Sequence, residues 1–180
     1  FSDAAYTERQ RGYGRDFRLR SIYTPQMIVN GTTEFVGSRG ARAELEVATA
    51  LQPANPPEAP GAPELGVGVR VVGEPVSGEA VTLRWRVDRL PPRSTFVLAV
   101  TEDGLVTDVP RGENRGKTLH HDGVVRAFTG QPLLDLDGTT SLELPEDLDV
   151  ANASAVVFVQ SNTDRRVLAA HRVPLTKSSQ

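Results

Sequence analysis

A proline-rich segment divides this chain into two parts whose apolar residues repeat with different periods. Five of the 13 prolines fall within residues 53–63, where they remove backbone donors and favour an extended, semi-rigid chain. Before this segment apolar residues recur at helical spacing, and after it they alternate as in strands. The sequence therefore predicts an α+β fold with a first domain at 1–52, a linker at 53–65 and a second domain at 66–176.

The second domain is predicted to contain six or more short strands. Apolar residues at every second position of segment 81–87 face one side, so Trp85 should pack in the core with Val81 and Leu83. Further strands are predicted at the alternating segments 67–71 and 141–144, the continuous apolar runs 96–100 and 156–159, and the final segment 167–173 after a turn at 162–164. This pattern is typical of an antiparallel β-sandwich.

Two helices and a hairpin are predicted in the first domain. The first helix carries Tyr6, Tyr13 and Phe17 at helical spacing after a candidate cap at Ser2 or Asp3, and it is weakened by Gly12 and Gly14. The second helix has one apolar face made of Ala41, Leu45, Ala48 and Leu51. Between them, Thr24 and Pro25 open an apolar run that ends in Asn30 and Gly31, which predicts a tight turn and a hairpin of residues 26–29 and 33–36.

Residues 111–118 are similar to a phosphate-binding loop, but the pattern is one residue short. Such a loop begins with a glycine five positions before its Gly-Lys pair, and here that position is Arg111. The surrounding pattern is strand and turn, so no helix N-terminus is available for a phosphate. We therefore expect a structural turn and no bound nucleotide.

His120, His121 and Asp122 form the densest group of candidate metal ligands or proton carriers. Neighbouring residues of a strand point to opposite faces, so the two histidines cannot easily chelate one metal, and His171 can join them only through the fold. We expect solvated or hydrogen-bonded histidines, with no metal and no cofactor. No nucleophile-elbow motif occurs, and we assign no catalytic residue.

The charge of the chain excludes some classes of partner. A net charge of −3 argues against a nucleic-acid binder, which needs a concentrated basic surface. A basic run of arginines is expected to be a solvated face or to pair with nearby acids, its functional alternative being a surface for an anionic partner. This run comprises Arg9, Arg11, Arg15, Arg18 and Arg20. No apolar run approaches the ~20 residues that span a bilayer.

Several segments resemble one protein family, and they occur in the family's order. Residues 1–13, the loop at 23–31 and residues 36–39 are similar to the second half of the exported bacterial thioredoxin-like proteins of domain-of-unknown-function family 1223, and residues 111–119 and 124–126 are similar to its second region. The resemblance implies that residues 1–52 form the back half of a thioredoxin-like α/β domain, a helix–hairpin–helix unit, followed by the β-sandwich.

The resemblance also implies where a ligand binds. In thioredoxin-like folds the bond before this proline is cis, and the flanking residues present backbone to an extended peptide, which makes Tyr23, Thr24 and Pro25 candidate groove residues. A purely structural turn is the alternative. The family-like residues without an assigned role are Arg111, Gly112, Glu113, Asn114, Gly116, His121 and Arg126.

The redox centre of the resembled family lies in a Gly-Cys-x-x-Cys-Pro segment, and this chain has no cysteine. Because the chain starts at Phe1 without a signal-peptide pattern, we expect a fragment or a processed product. The resemblance alone implies that the protein is exported, to the periplasm or the extracellular space. Thiol–disulfide exchange is expected of the full-length form only. The alternative is a non-catalytic binding or structural module of the cell envelope. The incomplete sheet of residues 1–52 is expected to expose apolar surface and to favour self-association or cover by a partner.

Overall fold

The computed structural model of the protein describes residues 4–52, 67–77, 79–112 and 115–177. Within these ranges the chain forms two α-helices, twelve β-strands and one short 3-10 helix, and most strand pairs are antiparallel. The predicted α+β class is therefore confirmed. The predicted linker at 53–65 lies outside the described residues, as does the candidate helix cap at Ser2 or Asp3. Neither described helix has the length and apolar composition needed to cross a bilayer.

The first part of the chain folds in the predicted order of helix, hairpin and helix. Its elements are α1 (Ala4–Asp16), β1 (Gln26–Val29), β2 (Thr33–Val36) and α2 (Gly40–Ala50). The two hairpin strands have the predicted bounds, and Met27 lies opposite Phe35. Asn30 and Gly31 take positive φ values of 49° and 74°, the left-handed conformation that an Asn-Gly pair adopts readily.

The second part contains two four-stranded sheets and a separate ribbon. Its strands are β3 (Val69–Ser77), β4 (Ala80–Val87), β5 (Ser94–Glu102), β6 (Leu105–Asp108), β7 (Thr118–His121), β8 (Val124–Pro132), β9 (Asp137–Glu143), β10 (Ala153–Ser161), β11 (Val167–Pro174) and β12 (Thr176–Lys177). The first sheet has the order β11-β10-β5-β8, the second has the order β12-β3-β4-β9, and β6 pairs with β7 as the ribbon. Among the strand pairs of the described residues, only β12 and β3 are parallel.

One buried core draws side chains from both four-stranded sheets. Val81 and Leu83 of β4 are 0% and 2% exposed, and Trp85 on the same face is 3% exposed. The Trp85 ring stacks on Phe96 of the first sheet, with 4.4 Å between the ring centroids. Its indole N–H donates to the Thr140 hydroxyl at 2.9 Å. The prediction that Trp85 packs with Val81 and Leu83 is therefore confirmed.

The two continuous apolar runs form strands, as predicted, and these are the two central strands of the first sheet. Residues 96–100 belong to β5, which pairs with β10 on one side and β8 on the other. Residues 156–159 belong to β10, which lies between β5 and β11. Helix α1 lies against this sheet, where Arg9 contacts Phe158 and Tyr6 contacts Phe128, so both faces of the sheet are shielded from water in this region. A strand covered on both faces need not alternate apolar and polar residues.

Helix α1 packs against the first sheet. The Tyr6 ring stacks on Phe128 of β8 with 5.4 Å between centroids. Tyr13 is buried, and its hydroxyl accepts a hydrogen bond from the Gln160 side chain of β10 at 2.8 Å. The sheet of the same chain therefore covers α1. The expectation that residues 1–52 would leave their apolar surface uncovered is wrong for this helix.

Helix α2, in contrast, exposes its apolar stripe. The predicted face is Ala41, Leu45, Ala48 and Leu51, and all four residues are exposed. The helix meets the hairpin from another side, where the Arg42 guanidinium lies 4.7 Å from the centre of the buried Phe35 ring. No described residue buries the stripe, so the expectation of an exposed apolar surface holds for α2.

The tip of the β1–β2 hairpin is attached to the start of β11. The amide of Val167 donates to the carbonyl of Asn30 at 2.9 Å. Gly31 is buried beside the backbone of Arg165, and a Cβ at this position would collide with the Arg165 carbonyl oxygen. The hairpin can approach β11 this closely only because Gly31 has no side chain.

Candidate functional site

The proline loop lies at the head of β1 and is accessible. Tyr23 is half-buried, whereas Thr24 and Pro25 are exposed. The peptide bond between Thr24 and Pro25 is cis, as predicted. The three candidate groove residues are consecutive in the chain, and two of them are exposed to solvent.

Two elements brace this loop through its backbone. The Gln10 side chain of α1 donates to the Tyr23 carbonyl at 3.2 Å and also to the Gln26 side-chain oxygen at 3.2 Å. On the other side, the amide of Gly37 donates to the Pro25 carbonyl at 2.8 Å. The loop is thus held from both sides while its exposed face stays free. Sequence reasoning did not identify Gln10, because a single glutamine on a helix gives no local signal.

The loop has the chemistry of a binding surface. Among the described strands β1 pairs with β2 alone, so its other edge has no strand neighbour. Met27 supplies the one sulfur atom of the chain, and a thioether is not a thiolate nucleophile. The loop is thus exposed and contains no thiol.

A polar network fixes α1, and with it Gln10, to the first sheet. The Gln160 side chain is 5% exposed and donates to the Tyr13 hydroxyl at 2.8 Å and to the Arg165 carbonyl at 2.6 Å. Its oxygen accepts a hydrogen bond from Arg9 at 3.1 Å. Arg165 in turn pairs with Asp16 at the end of α1. All hydrogen-bonding atoms of the buried amide are in use, which makes the attachment specific as well as stable.

Arg9 departs from the prediction made for the arginine run. It is half-buried and lies over the rings of Tyr13 and Phe158, at 5.3 Å and 5.5 Å from their centroids. Arg11 and Arg15 follow the prediction, since they are exposed and pair with Glu8 at 3.8 Å and 3.1 Å. The run is therefore partly a solvated face and partly a contact between α1 and β10.

The family-like residues do not converge on one site. Arg111, Gly112 and Gly116 lie in the loop between β6 and β7, His121 ends β7, and Arg126 lies within β8. Glu113 and Asn114 fall outside the described residues. A shallow cavity of about 360 Å³ beside the loop is lined by Asp108, Val109, Pro110, Gly116 and Lys117. The chain passes from Lys117 directly into strand β7, which agrees with the predicted turn; the absence of nucleotide binding stays a prediction.

Two Asp-Gly pairs close the base of the ribbon reciprocally. The Asp103 side chain accepts from the Gly123 amide at 2.7 Å, and the Asp122 side chain accepts from the Gly104 amide at 2.8 Å. The bond from Gly123, followed by the bond from Arg172, holds the pKa of the Asp103 carboxyl below its usual 3.8. These paired contacts, here called the ribbon clamp, join the two ends of the ribbon to each other, and the bond from Arg172 links Asp103 to β11.

The histidines lie on the ribbon and on β11. His120 is exposed and His121 half-buried, as expected for neighbours on a strand, and His171 is exposed on β11. Among the residues that the structure describes, no three His, Cys, Asp or Glu side chains are arranged to hold a metal ion.

Arg126 forms a buried ion pair with Glu102 of β5. Its side chain is 7% exposed and that of Glu102 is 4% exposed. Arg126 also reaches Asp147 at 2.5 Å, and Glu102 accepts a hydrogen bond from the Asp149 amide at 3.2 Å. The pair therefore ties the segment after β9 to the first sheet.

Comparison with known proteins identifies the family of this chain. No curated protein matches it. The model of a family described as a protein of unknown function (DUF1223) matches residues 1–160, from the start of the chain to the Gln160 that fixes α1 to β10. Because the match covers far more than half of the 180 residues, the chain belongs to the DUF1223 family.

Proposed function

We propose that this chain is the part of an exported thioredoxin-like protein that binds the substrate peptide. The whole protein would exchange thiols and disulfides with a dithiol on a segment outside the 180 residues. The observation that carries the proposal is the exposed Thr24–Pro25 loop beside the free outer edge of β1. An extended peptide can pair with such an edge and place a disulfide next to the loop. In this proposal the two four-stranded sheets form an antiparallel sandwich that holds the loop through α1.

The proposed reaction needs a sulfur nucleophile that this chain lacks. A thiolate of the dithiol attacks one sulfur of the substrate disulfide and releases the other as a thiol; the second thiol of the pair then closes the enzyme disulfide and releases the first substrate sulfur. Two electrons pass from the dithiol to the substrate. Since the 180 residues contain no cysteine, this chain alone should show no exchange.

An insulin-reduction assay tests the proposal. The reading frame extended upstream should encode a C-x-x-C segment, and the longer protein should reduce insulin in the presence of a thiol donor. Replacing both cysteines by serine should abolish the activity. Pro25→Ala should lower it about tenfold or more, because misplacing a bound substrate has effects of this order. The exposed Pro92, in the loop between β4 and β5, provides the matched control variant Pro92→Ala.

The result also decides between two classes of function. A longer protein that carries the dithiol but shows neither exchange nor a measurable redox potential contradicts the enzyme proposal. The alternative is then a non-catalytic binding or structural module of the cell envelope. The ribbon favours this alternative, because its two strands have no further strand neighbours in the described part of the chain and Val106 is 55% exposed. Fractionation of cells that express the longer protein tests the proposed export.

A further inference from the structure

A cleft of about 710 Å³ lies where β4 begins and β9 ends, and none of its lining residues belongs to the proline loop. Its floor is apolar and consists of the half-buried side chains of Leu144, Pro145, Leu148 and Val150. Its rim carries three exposed carboxylates, those of Glu79, Glu143 and Glu146. A hollow of this size that combines apolar side chains with a few charged groups is typical of a ligand site. We call it the acidic cleft.

The charges of the rim are not compensated within the described structure. The ion pairs among described residues use other carboxylates. The three glutamates are also not arranged to hold a metal, since no described group of three acidic or histidine side chains has that geometry. Because the carboxylates are spread around the rim, they complement a ligand with several separate cationic groups better than they complement a single ion.

The backbone next to the cleft suits an extended polypeptide. Strand β9 is the last strand of the second sheet, and its outer edge has no hydrogen-bonded neighbour among the described strands. Glu143 ends this strand and belongs to the rim. A peptide added along the edge would place alternate side chains toward the sheet face and toward the glutamates.

The wall of the cleft is held by the buried Arg126–Glu102 pair. This pair contacts Asp147 and Asp149, which lie within the segment that lines the cleft. The lining residues of that segment are Pro145, Glu146, Leu148 and Val150. Burying an ion pair is costly in desolvation and often gives no net stability over apolar packing, so its value can lie in fixing one geometry. Here the fixed geometry is that of the segment that forms the floor and rim.

We propose that the acidic cleft binds an extended polypeptide segment in which apolar side chains alternate with lysine or arginine. The apolar side chain enters the floor, the flanking cations meet the glutamates, and the backbone pairs with β9. Arg126 is a positioning residue for this site, which gives a role to one of the family-like residues. The proposal does not depend on the proline loop or on thiol chemistry.

Binding of a labelled peptide tests the proposal on the full chain. The probe is a fluorescein-labelled hexapeptide of alternating lysine and leucine, measured by fluorescence anisotropy at 20 mM and 200 mM salt. We expect saturable binding that weakens at the higher salt. Replacing Glu79, Glu143 and Glu146 together by glutamine should weaken binding tenfold or more. The control is the equally charged triple variant of Glu8, Glu44 and Glu46, which lie on α1 and α2 and should leave binding unchanged.

Two further peptides separate this site from general charge attraction. A lysine–serine hexapeptide should bind at least tenfold more weakly, because it cannot fill the apolar floor, and a glutamate–leucine hexapeptide should not bind. Equal binding of the lysine–leucine peptide to both triple variants, or equal binding of the lysine–serine peptide, would overturn the proposal.

The positioning role has its own readout. Arg126→Lys keeps the charge but loses the planar fork that joins Glu102 and Asp147, and it should weaken peptide binding at least threefold with an unchanged salt dependence. Circular dichroism at the assay temperature checks that this variant is folded. If it is not, Asp147→Asn provides the test, since Asp147 is 79% exposed. An unchanged affinity in the folded variant would contradict the positioning role.

Discussion

At the scale of single residues, the side chain of Gln160 connects three other residues by hydrogen bonds. It ends the buried run of β10, yet its amide is fully engaged with Tyr13, Arg165 and Arg9. A buried amide with every atom paired costs little, whereas its removal leaves several partners unpaired. One side chain thus carries much of the contact between α1 and the first sheet.

We expect Gln160→Ala to lower the free energy of unfolding by about 2–4 kcal/mol. The Arg165 carbonyl loses its donor and Arg9 loses an acceptor, each loss costing about 1–3 kcal/mol, while the Tyr13 hydroxyl keeps the bond from Arg9 at 3.1 Å. Urea denaturation followed by circular dichroism measures this change. Gln131→Ala is the matched control, since Gln131 is half-buried on β8 and should cost much less. Equal losses in the two variants would contradict the role given to Gln160.

A second prediction concerns Trp85 in the apolar core. Because its side chain is 3% exposed and stacks on Phe96, Trp85→Ala should cost roughly 3–5 kcal/mol of unfolding free energy. Leu134→Ala should cost almost nothing, since Leu134 is 75% exposed. Thermal denaturation of both variants checks the difference, and a Trp85 variant that melts like the parent would show that the core is assigned wrongly.

At the scale of elements, the ribbon depends on the ribbon clamp. Strands β5 and β8 are neighbours in the first sheet, and the ribbon is inserted between them along the chain. Asp103 and Asp122 each accept an amide bond from the glycine of the opposite pair, so both ends of the insertion are held at one place. The glycines at 104 and 123 have φ values of 73° and 65°, which let the chain turn sharply there.

The lowered pKa of Asp103 predicts the pH dependence of this clamp. Its charged form is favoured in the folded protein, so the contribution to stability is present above pH 3.8 and is lost as the pH falls through the lowered pKa. In an NMR titration the Asp103 carboxyl should have a midpoint below 3.8, and exchange of the Gly123 amide should accelerate over the same range. Asp103→Asn should remove this acid dependence. A midpoint at or above 3.8 would contradict the clamp.

Much of the element pattern could be predicted from sequence, because it depends on local periodicity. The alternation around Trp85, the unbroken runs of β5 and β10, and the Asn30–Gly31 turn each follow from residues close together in the chain. The site could be predicted only in part. The hydrogen bonds of Gln10 to Tyr23 and of Gln160 to Tyr13 join residues from different elements. A single glutamine gives no sequence pattern from which such a bond can be predicted.

At the scale of the whole molecule, the first part is attached to the second at two separate places. Helix α1 contacts β8 and β10, and the hairpin tip contacts the start of β11 through Asn30 and Gly31. The proline loop lies between these attachments in the chain. Its position relative to the sheets therefore depends on both, and the two parts should unfold together.

Gly31→Ala tests this coupling. An added Cβ would collide with the Arg165 carbonyl and would also disfavour the φ of +74°, so the hairpin tip should detach from β11 at a cost of about 1–3 kcal/mol. Urea transitions followed by Trp85 fluorescence and by helical circular dichroism should coincide in the parent and separate in the variant. Gly40→Ala is the control, because a Cβ there meets nothing within 4 Å. Coincident transitions in Gly31→Ala would contradict the coupling.

The ribbon clamp has a consequence for how this protein can vary. The chain leaves the first sheet at Asp103 and returns to it at Gly123, and these two residues are hydrogen-bonded to each other at 2.7 Å. The register of β5 against β8 is set by residues 95–102 and 124–132, which lie outside the segment that the bond closes. We therefore expect that residues 105–121 can be lengthened, shortened or exchanged for a foreign sequence while the sheet keeps its register.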